Sequence, residues 1–397
     1  MAALSQLLFL GSLLLAFIVA SATAAKFPAV IVFGDSSVDS GNNNQISTLL
    51  KSNFEPYGRD FIGKRPTGRF SNGRVPPDLI SEGLGLRPFV PAYLDPAYKI
   101  SDFAQGVNFA SAGTGYDNAT SDVLILYLAE IVGPLGWNLT FEKKEFKIVR
   151  SIACNGCIDL HDLSFILQNV IPLWKEVEYY KDYQKKLRAY AGETKANHII
   201  QESLYVVSIG TNDFLENYYL GGRRSSQYTV EQFQVFLVGQ AEKFVREIYA
   251  LGARKISLGG LPPMGCLPLE RTTNYLGGHG DGCNEEYNAV ALHFNGLLNG
   301  LVKKLNKELP GIKILYADTY FILLQIIRKP SAFGFDVASV ACCGTGLFEM
   351  SYLCDRMNMF TCTDANKYVF WDSFHLTEKT NRIIVEYLMK YLIHLFN

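Results

Sequence analysis

The chain lacks an excess of charge of either sign. Its 37 lysine and arginine residues are balanced by 38 aspartate and glutamate residues, and the formal net charge at pH 7 is −1. Nucleic-acid-binding proteins usually carry a basic patch or stripe, whereas positive and negative residues are interspersed along this chain. The sequence therefore predicts no nucleic-acid partner.

Long apolar runs are also missing, except at the amino terminus, and we therefore predict no transmembrane segment. Residues 1–25 combine an apolar core with a tail of small residues, which is typical of a cleaved secretory signal. We expect a secreted, extracellular protein, and the sequons at Asn118 and Asn138 predict N-glycosylation of its surface. An uncleaved anchor is the alternative for 1–25, and the small-residue tail disfavours it. No Gly/Ser-rich or Pro-rich linker divides the rest, so we predict one domain over 26–397.

Metal-ligand patterns are incomplete. Cys154 and Cys157 form a CxxC pair, but no second CxxC or nearby histidine pair completes a zinc site. We predict no metal and no cofactor. Eight cysteines in a secreted chain indicate disulfides instead. Cys342 and Cys343 are neighbours, so we expect each of them to pair elsewhere.

Strand-like apolar runs alternate with amphipathic helical patterns along the chain. This alternation predicts a mostly parallel central sheet with helices on both faces, a three-layer α/β/α sandwich. The strand-like runs are 29–33, 203–209, 255–259 and 312–317, and the helical patterns are 229–250, 285–309 and 377–395. Polar or glycine-rich turns follow the first three strands. Parallel strands end at one edge of a sheet, so we expect residues from these turns to meet there.

The first of these turns is the best place for a serine nucleophile, because the α/β-hydrolase motif GxSxG is absent from the chain. Its sequence, FGDSSVDSGNNN at 33–44, offers Ser36, with Ser37 as a rival. A helix beginning at this turn would supply N–H groups that stabilise an oxyanion. Asp39 and the asparagines at 42–44 are expected to hold the turn. A solvated turn without catalytic function is the alternative interpretation.

His375 is the histidine best placed to act as a base, since it follows an aromatic run and precedes a helical pattern. Asp372 lies three residues earlier, and one turn can hold its carboxylate against Nδ1 of the imidazole. Nε2 would then accept a proton from a serine hydroxyl. A helix N-terminus capped by Asp372 or Thr377 is the alternative.

Four blocks of the sequence, in this order, resemble the plant GDSL esterase/lipase family of the SGNH hydrolase superfamily. They are FGDSSVDSGNNN (33–44), GVNFASAGTG (106–115), SIGTNDF (208–214) and WDSFHLTE (371–378). The resemblance implies a secreted serine esterase or lipase with an SGNH hydrolase fold, which acts on small-molecule acyl esters of lipids or other compounds. Two alternatives remain open: a catalytically idle lipid- or carbohydrate-binding protein on the same fold, and an acyltransferase.

The resemblance also implies roles for individual residues. Ser36 corresponds to the nucleophile that forms the acyl-enzyme, His375 to the base and Asp372 to the acid that orients the base. Gly113 and Asn212 correspond to members of an oxyanion hole that also uses the backbone N–H of Ser36.

Three features qualify this correspondence. Gly115 is an alternative to Gly113, because an alignment of small residues can slip there. Leu376 stands where the family has proline after the histidine. Roughly 45 residues near 125–168 form an atypical insert, longer than most loops within domains. We hypothesise that this insert is a translated intron or a variant product; abundant mature message carrying these codons would contradict the hypothesis.

Overall fold

The computed structural model describes residues 27–122, 137–142, 145–150, 170–220 and 224–396. The predicted signal at 1–25 and the cysteines at 154 and 157 lie outside these residues. So does most of the insert near 125–168, apart from two short strands.

The described residues form nine strands. They are β1 (Val30–Gly34), β2 (Gly106–Asn108), β3 (Trp137–Glu142), β4 (Glu145–Arg150), β5 (Leu204–Ser208), β6 (Lys255–Gly259), β7 (Lys313–Ala317), β8 (Val337–Ala341) and β9 (Tyr368–Phe370). Five of them form one parallel sheet in the order β2-β1-β5-β6-β7. Within the insert, β3 and β4 form an antiparallel hairpin, and β8 pairs with β9 in parallel.

Helices connect and cover these strands. The α-helices of the described residues are α1 (Pro76–Gly83), α2 (Ile100–Phe103), α3 (Leu173–Ala191), α4 (Glu193–Glu202), α5 (Val230–Ala250), α6 (Pro268–Leu276), α7 (Glu285–Glu308), α8 (Tyr320–Arg328) and α9 (Glu378–Phe396). A π-helix spans Asp213–Leu220. Short 3₁₀ helices are Asn42–Gln45, Asn118–Asp122, Met264–Cys266, Pro330–Phe333, Ser351–Leu353 and Ala365–Lys367.

The sheet has one apolar layer on each face, because side chains alternate along a strand and both faces are covered. On one face, Ile31 and Phe33 of β1 pack with buried residues of α3, α4, α5 and α7. On the other, Val30 and Val32 pack with residues of α1 and α9. The α/β/α prediction is therefore confirmed.

The predicted strands and helices lie within two residues of the observed ones. Thr229, for example, caps α5 by accepting a hydrogen bond from the backbone N–H of Gln232, so the helix begins one residue later than predicted. The strand β2 and the helices α3 and α4 were not predicted. β2 has only three residues in a glycine-containing block, too few for a clear alternating pattern.

Three disulfides lie among the described residues. Cys342 pairs with Cys362, and Cys343 pairs with Cys354, which confirms that the two neighbours pair elsewhere. The third bond joins Cys266 to Cys283. The bonds of Cys342 and Cys343 tie the loop between β8 and β9 to the two residues that directly follow β8.

The chain returns from the undescribed part of the insert beside the second sequence block. Ser111 Oγ accepts a hydrogen bond from the backbone N–H of Ile171, and Thr114 Oγ1 donates one to the carbonyl oxygen of Ile171. The parallel sheet is continuous before and after this segment. Within the described ranges, no helix is long and apolar enough to cross a bilayer.

Gly34, at the end of β1, lies against the backbone of β5 with no room for a side chain. Its φ is +144°, and an added Cβ would lie 2.0 Å from the carbonyl oxygen of Ser208. That oxygen also accepts the backbone N–H of Asp35 at 3.0 Å. Any side chain at Gly34 must therefore push the two strand ends apart.

We predict that Gly34→Ala lowers the free energy of unfolding by at least about 3 kcal/mol, from backbone strain and the clash together. Gly239→Ala is the matched control, because Gly239 lies within α5 and a Cβ there meets nothing within 4 Å. The control should gain roughly 0.5–1 kcal/mol, since alanine favours helix. Urea unfolding of both variants measures the difference; equal stabilities would contradict the prediction.

Candidate active site

Ser36 lies in the turn that follows β1. The backbone N–H groups of Val38 and Asp39 both donate to the carbonyl oxygen of Asp35, which closes the turn around Ser36. The expected helix does not begin here, because the next helical element is the 3₁₀ helix at Asn42–Gln45. The side chain of Ser36 is half-buried and lines two adjoining cavities.

The hydroxyl of Ser37, the rival candidate, is already engaged. It donates a hydrogen bond of 2.6 Å to Oδ1 of Asp35 and lies 2.9 Å from Oγ of Ser208. Burial raises the pKa of Asp35, while the hydrogen bonds from Ser37 and the charge at His375 oppose this shift. Ser37 is exposed, and it lines only the larger of the two cavities that Ser36 lines.

The predicted pair of Asp372 and His375 forms in the short loop after β9. Nδ1 of His375 lies 2.8 Å from Oδ1 and 2.9 Å from Oδ2 of Asp372. The backbone N–H groups of Phe374 and His375 also donate to Oδ1. The loop closes where the N–H of Trp371 donates to the carbonyl oxygen of His375 at 2.7 Å. The carboxylate therefore orients both the loop and the imidazole.

Nε2 of His375 is buried and has no hydrogen-bond partner among the described residues. With Nδ1 held by a carboxylate, Nε2 is left as the proton-accepting nitrogen, and His375 lines both cavities that Ser36 lines. Hydrogen bonds between a base and its nucleophile are often made only in the substrate complex. Thr377, the alternative cap residue, accepts from the N–H of Thr380 and so caps α9.

Tyr57 completes this loop and was not anticipated from the sequence. Its hydroxyl donates a 2.7 Å hydrogen bond to Oδ2 of Asp372 and accepts one from the backbone N–H of Ser351. Burial and the neighbouring Asp372 raise the pKa of Tyr57 well above its ordinary value, so the hydroxyl remains a donor. No local sequence pattern around Tyr57 predicts this contact, because Tyr57 and Asp372 are 315 residues apart in the sequence.

The smaller cavity brings together four of the five residues that the sequence singled out. Ser36, Gly113, Asn212 and His375 all line it, and Asp372 lies behind His375. Its volume of about 10 Å³ suits a single water-sized group. Donors converging on so small a space can bind one oxygen atom of a ligand.

Between the two glycine candidates, Gly113 is the one at the cavity. Its φ is +87°, and an added Cβ would lie 2.7 Å from Cδ1 of Leu50. Gly115 instead packs against Asp213, where a Cβ would lie 2.4 Å from Oδ1. The side chain of Asn212 donates a 3.0 Å hydrogen bond to the carbonyl oxygen of Thr114, which leaves its second N–H available at the cavity.

Two buried carboxylates hold the loops around the cavity. Asp39 accepts hydrogen bonds from the backbone N–H groups of Gly41, Asn42 and Ala112, although burial raises its pKa to about 6. Asp213 similarly joins the third block to the segment after the second block by accepting from residues 116, 117 and 120, and burial raises its pKa to about 7. Side-chain amides of the asparagines at 42–44 bind backbone carbonyls of neighbouring loops, so these residues hold the turn.

The larger cavity, of about 150 Å³, runs from Ser36 and His375 into the apolar layer between the sheet and α9. Most of its wall is aliphatic. Its lining includes Ile80 of α1, Val206 of β5, Leu323 of α8, and Ile384, Val385 and Leu388 of α9. If the carbonyl carbon of an acyl group lies at Ser36, an unbranched acyl chain could extend into this cavity and contact aliphatic side chains along its length.

Tyr57→Phe tests how far the Asp372 contact supports the imidazole. The variant removes a hydrogen bond to a charged group, so we predict that kcat for ester hydrolysis falls about tenfold while KM changes little. Tyr93→Phe is the matched control, because the Tyr93 hydroxyl donates to Asp182, a residue that lines neither cavity. Steady-state kinetics measure both; equal losses would show that the Tyr57 effect is not specific to Asp372.

Comparison with known proteins agrees with these four blocks and extends beyond them. The family model described as GDSL-like Lipase/Acylhydrolase matches residues 30–388. The Arabidopsis thaliana protein named GDSL esterase/lipase At4g26790 is 57% identical over 369 residues, which is 93% of this chain and 92% of that protein. GDSL esterase/lipase At2g42990, from the same plant, is 54% identical over 377 residues, which is 95% of each. This chain therefore belongs to the GDSL lipase/acylhydrolase family of enzymes that hydrolyse ester bonds.

Proposed function

We propose that this protein is a secreted serine esterase that hydrolyses esters of apolar acyl groups through an acyl-enzyme on Ser36. The observation that supports this proposal most is the convergence of Ser36, His375, Gly113 and Asn212 on one small cavity. The larger cavity begins at the same serine and offers an aliphatic wall to the acyl chain.

In the proposed mechanism, Oγ of Ser36 attacks the ester carbonyl carbon while Nε2 of His375 accepts its proton. The carbonyl oxygen becomes a tetrahedral oxyanion, which accepts hydrogen bonds from the N–H groups of Ser36 and Gly113 and from the side chain of Asn212. Asp372 holds the imidazolium through Nδ1. Collapse of the intermediate expels the alcohol, which takes the proton from His375. Water then repeats the sequence and releases the acid.

Secretion is part of the proposal. Three disulfides among the described residues fit an oxidising compartment, and residues 1–25 carry the pattern of a signal peptide. Asn118 is exposed, as a glycosylated asparagine must be, whereas Thr120 of its sequon is buried against Asp213. The side chain of Asn138 lies outside the described residues.

Ser36→Ala is the first test of the mechanism. We predict that hydrolysis of p-nitrophenyl acetate and butyrate falls at least about 10⁴-fold, because the nucleophile is lost. Ser37→Ala is the control and should lose less than tenfold, since its hydroxyl binds Asp35 and Ser208. Activity that survives Ser36→Ala would contradict the proposal. Acyl transfer to an added alcohol in preference to water would favour the acyltransferase, and no turnover by the folded wild type would favour a binding protein.

Leu388→Trp tests the larger cavity as the acyl site. The indole would fill part of the aliphatic space, so we predict at least a tenfold loss of kcat/KM for p-nitrophenyl octanoate and less than a twofold change for the acetate. Leu395→Trp on the same helix is the control, because Leu395 is exposed and lies outside the cavity lining. Equal losses on both esters, or an unchanged chain-length profile, would place the acyl chain elsewhere.

A further inference from the structure

Glu216 is a buried carboxyl group that the proposed mechanism does not use. It lies on the π-helix Asp213–Leu220, one turn after Asn212, and its side chain is 6% exposed. It lines the smaller cavity together with Ser36 and His375. Among the described residues, none makes a hydrogen bond or an ion pair with it. A π-helix within an α/β fold is uncommon and often occurs at a functional site.

A buried polar group without a partner is costly, so one that also lines a ligand-sized space beside the reacting groups is a candidate for contact with the ligand. Glu270 provides a contrast, because its carboxyl is also buried but lines neither cavity at Ser36. Glu216 instead lines a space that suits one oxygen atom, and Gly113 and Asn212 line the same space. Since no described residue pairs with Glu216 and its side chain lines this space, a substrate bound there is within reach of it.

The charge state of Glu216 follows from its surroundings. Burial, and to a smaller extent the negative charges of Asp35 and Asp213, together raise its pKa to about 8. These two groups face it from the turn after β1 and from its own helix, and His375 shares the cavity from the loop after β9. Below pH 8 Glu216 is a neutral acid whose O–H can donate a hydrogen bond; above pH 8 it becomes an anion that can only accept.

We propose that Glu216 acts as a carboxylic acid that donates a hydrogen bond to the ester carbonyl oxygen as this oxygen becomes an oxyanion, beside the donors at Ser36, Gly113 and Asn212. This inference rests on the proposed serine mechanism. A neutral acid near a developing negative charge stabilises it, whereas an ionised carboxylate at the same place repels it. The proton of Glu216 stays on Glu216, so no bond to it forms or breaks in the reaction.

The test compares wild type with Glu216→Gln, Glu216→Leu and the control Glu270→Gln. Glutamine has nearly the same shape and keeps an N–H donor at every pH, while leucine has none. Burial also raises the pKa of Glu270, to about 7, which makes it a matched buried acid away from Ser36. The measurement is kcat/KM for p-nitrophenyl butyrate from pH 5 to pH 10.

The wild-type rate should fall as pH rises through about 8, because the donor becomes an anion. Glu216→Gln should stay within about tenfold of wild type at pH 6 and lack this alkaline fall, since the glutamine amide keeps its N–H donor at every pH measured. Glu216→Leu should lose about 100-fold at pH 6, as expected for one oxyanion donor. Glu270→Gln should keep the wild-type profile. An alkaline fall that persists in Glu216→Gln, or equal rates for the Gln and Leu variants at pH 6, overturns the inference.

A second measurement separates transition-state stabilisation from a structural role. Butylboronic acid forms a tetrahedral anion on a serine oxygen, so its inhibition constant at pH 6 should rise across the Glu216 variants in proportion to the loss of kcat/KM. An unchanged inhibition constant would overturn the inference. If Glu216→Leu does not fold, the Gln variant decides by its pH profile. If Ser36→Ala keeps full activity, the serine mechanism itself fails; if it is inactive while the Glu216 variants behave like wild type, only the Glu216 inference fails.

Discussion

The register of three parallel strands controls the geometry of the site. Gly34 at the end of β1 pairs with Ser208 at the end of β5, and Val32 pairs with Asn108 at the end of β2. The chains that leave these strands therefore begin within one strand spacing of each other. Ser36 follows two residues after β1 and Asn212 four residues after β5, so neither needs a long loop to reach the cavity. Backbone hydrogen bonds of the sheet thus align groups from distant parts of the sequence.

His375 is positioned by an element outside the main sheet. The loop of Asp372 and His375 follows β9, which pairs with β8 outside the main sheet, and two disulfides clamp the intervening loop. Arg59 links this unit to the amino-terminal half, because its guanidinium lies 4.8 Å from the Trp371 ring and donates to the carbonyl oxygen of Cys362. The base is therefore carried on a separately braced unit, whose strands contact the helices α6, α8 and α9.

Five buried acids lie around the catalytic residues, and burial raises the pKa of each of these five: Asp35, Asp39, Glu176, Asp213 and Glu216. Three hold the backbone: Asp39 and Asp213 accept several N–H groups, and Glu176 accepts the N–H of Gly34. These bonds make the loops rigid at the cost of placing carboxyl groups away from water. Glu216 has no such bond within the described residues, which sets it apart from the acids that only support the loops.

Local patterns were sufficient to predict four of the five strands of the main sheet, the helices α5, α7 and α9, and the pairing of Asp372 with His375, because these features depend on neighbours within a few residues. The turn at 33–44 could likewise be located from its position after a buried strand. The sequence alone did not decide between Ser36 and Ser37, or between Gly113 and Gly115. The two residues of each pair are of the same type and close in sequence, and they differ only in where the fold places them. The tertiary structure placed Ser36 and Gly113 at the small cavity, bound the Ser37 hydroxyl to Asp35 and packed Gly115 against Asp213. It alone brought in Tyr57 and Glu216, because their contacts join segments that meet only when the sheet and the braced loop pack together.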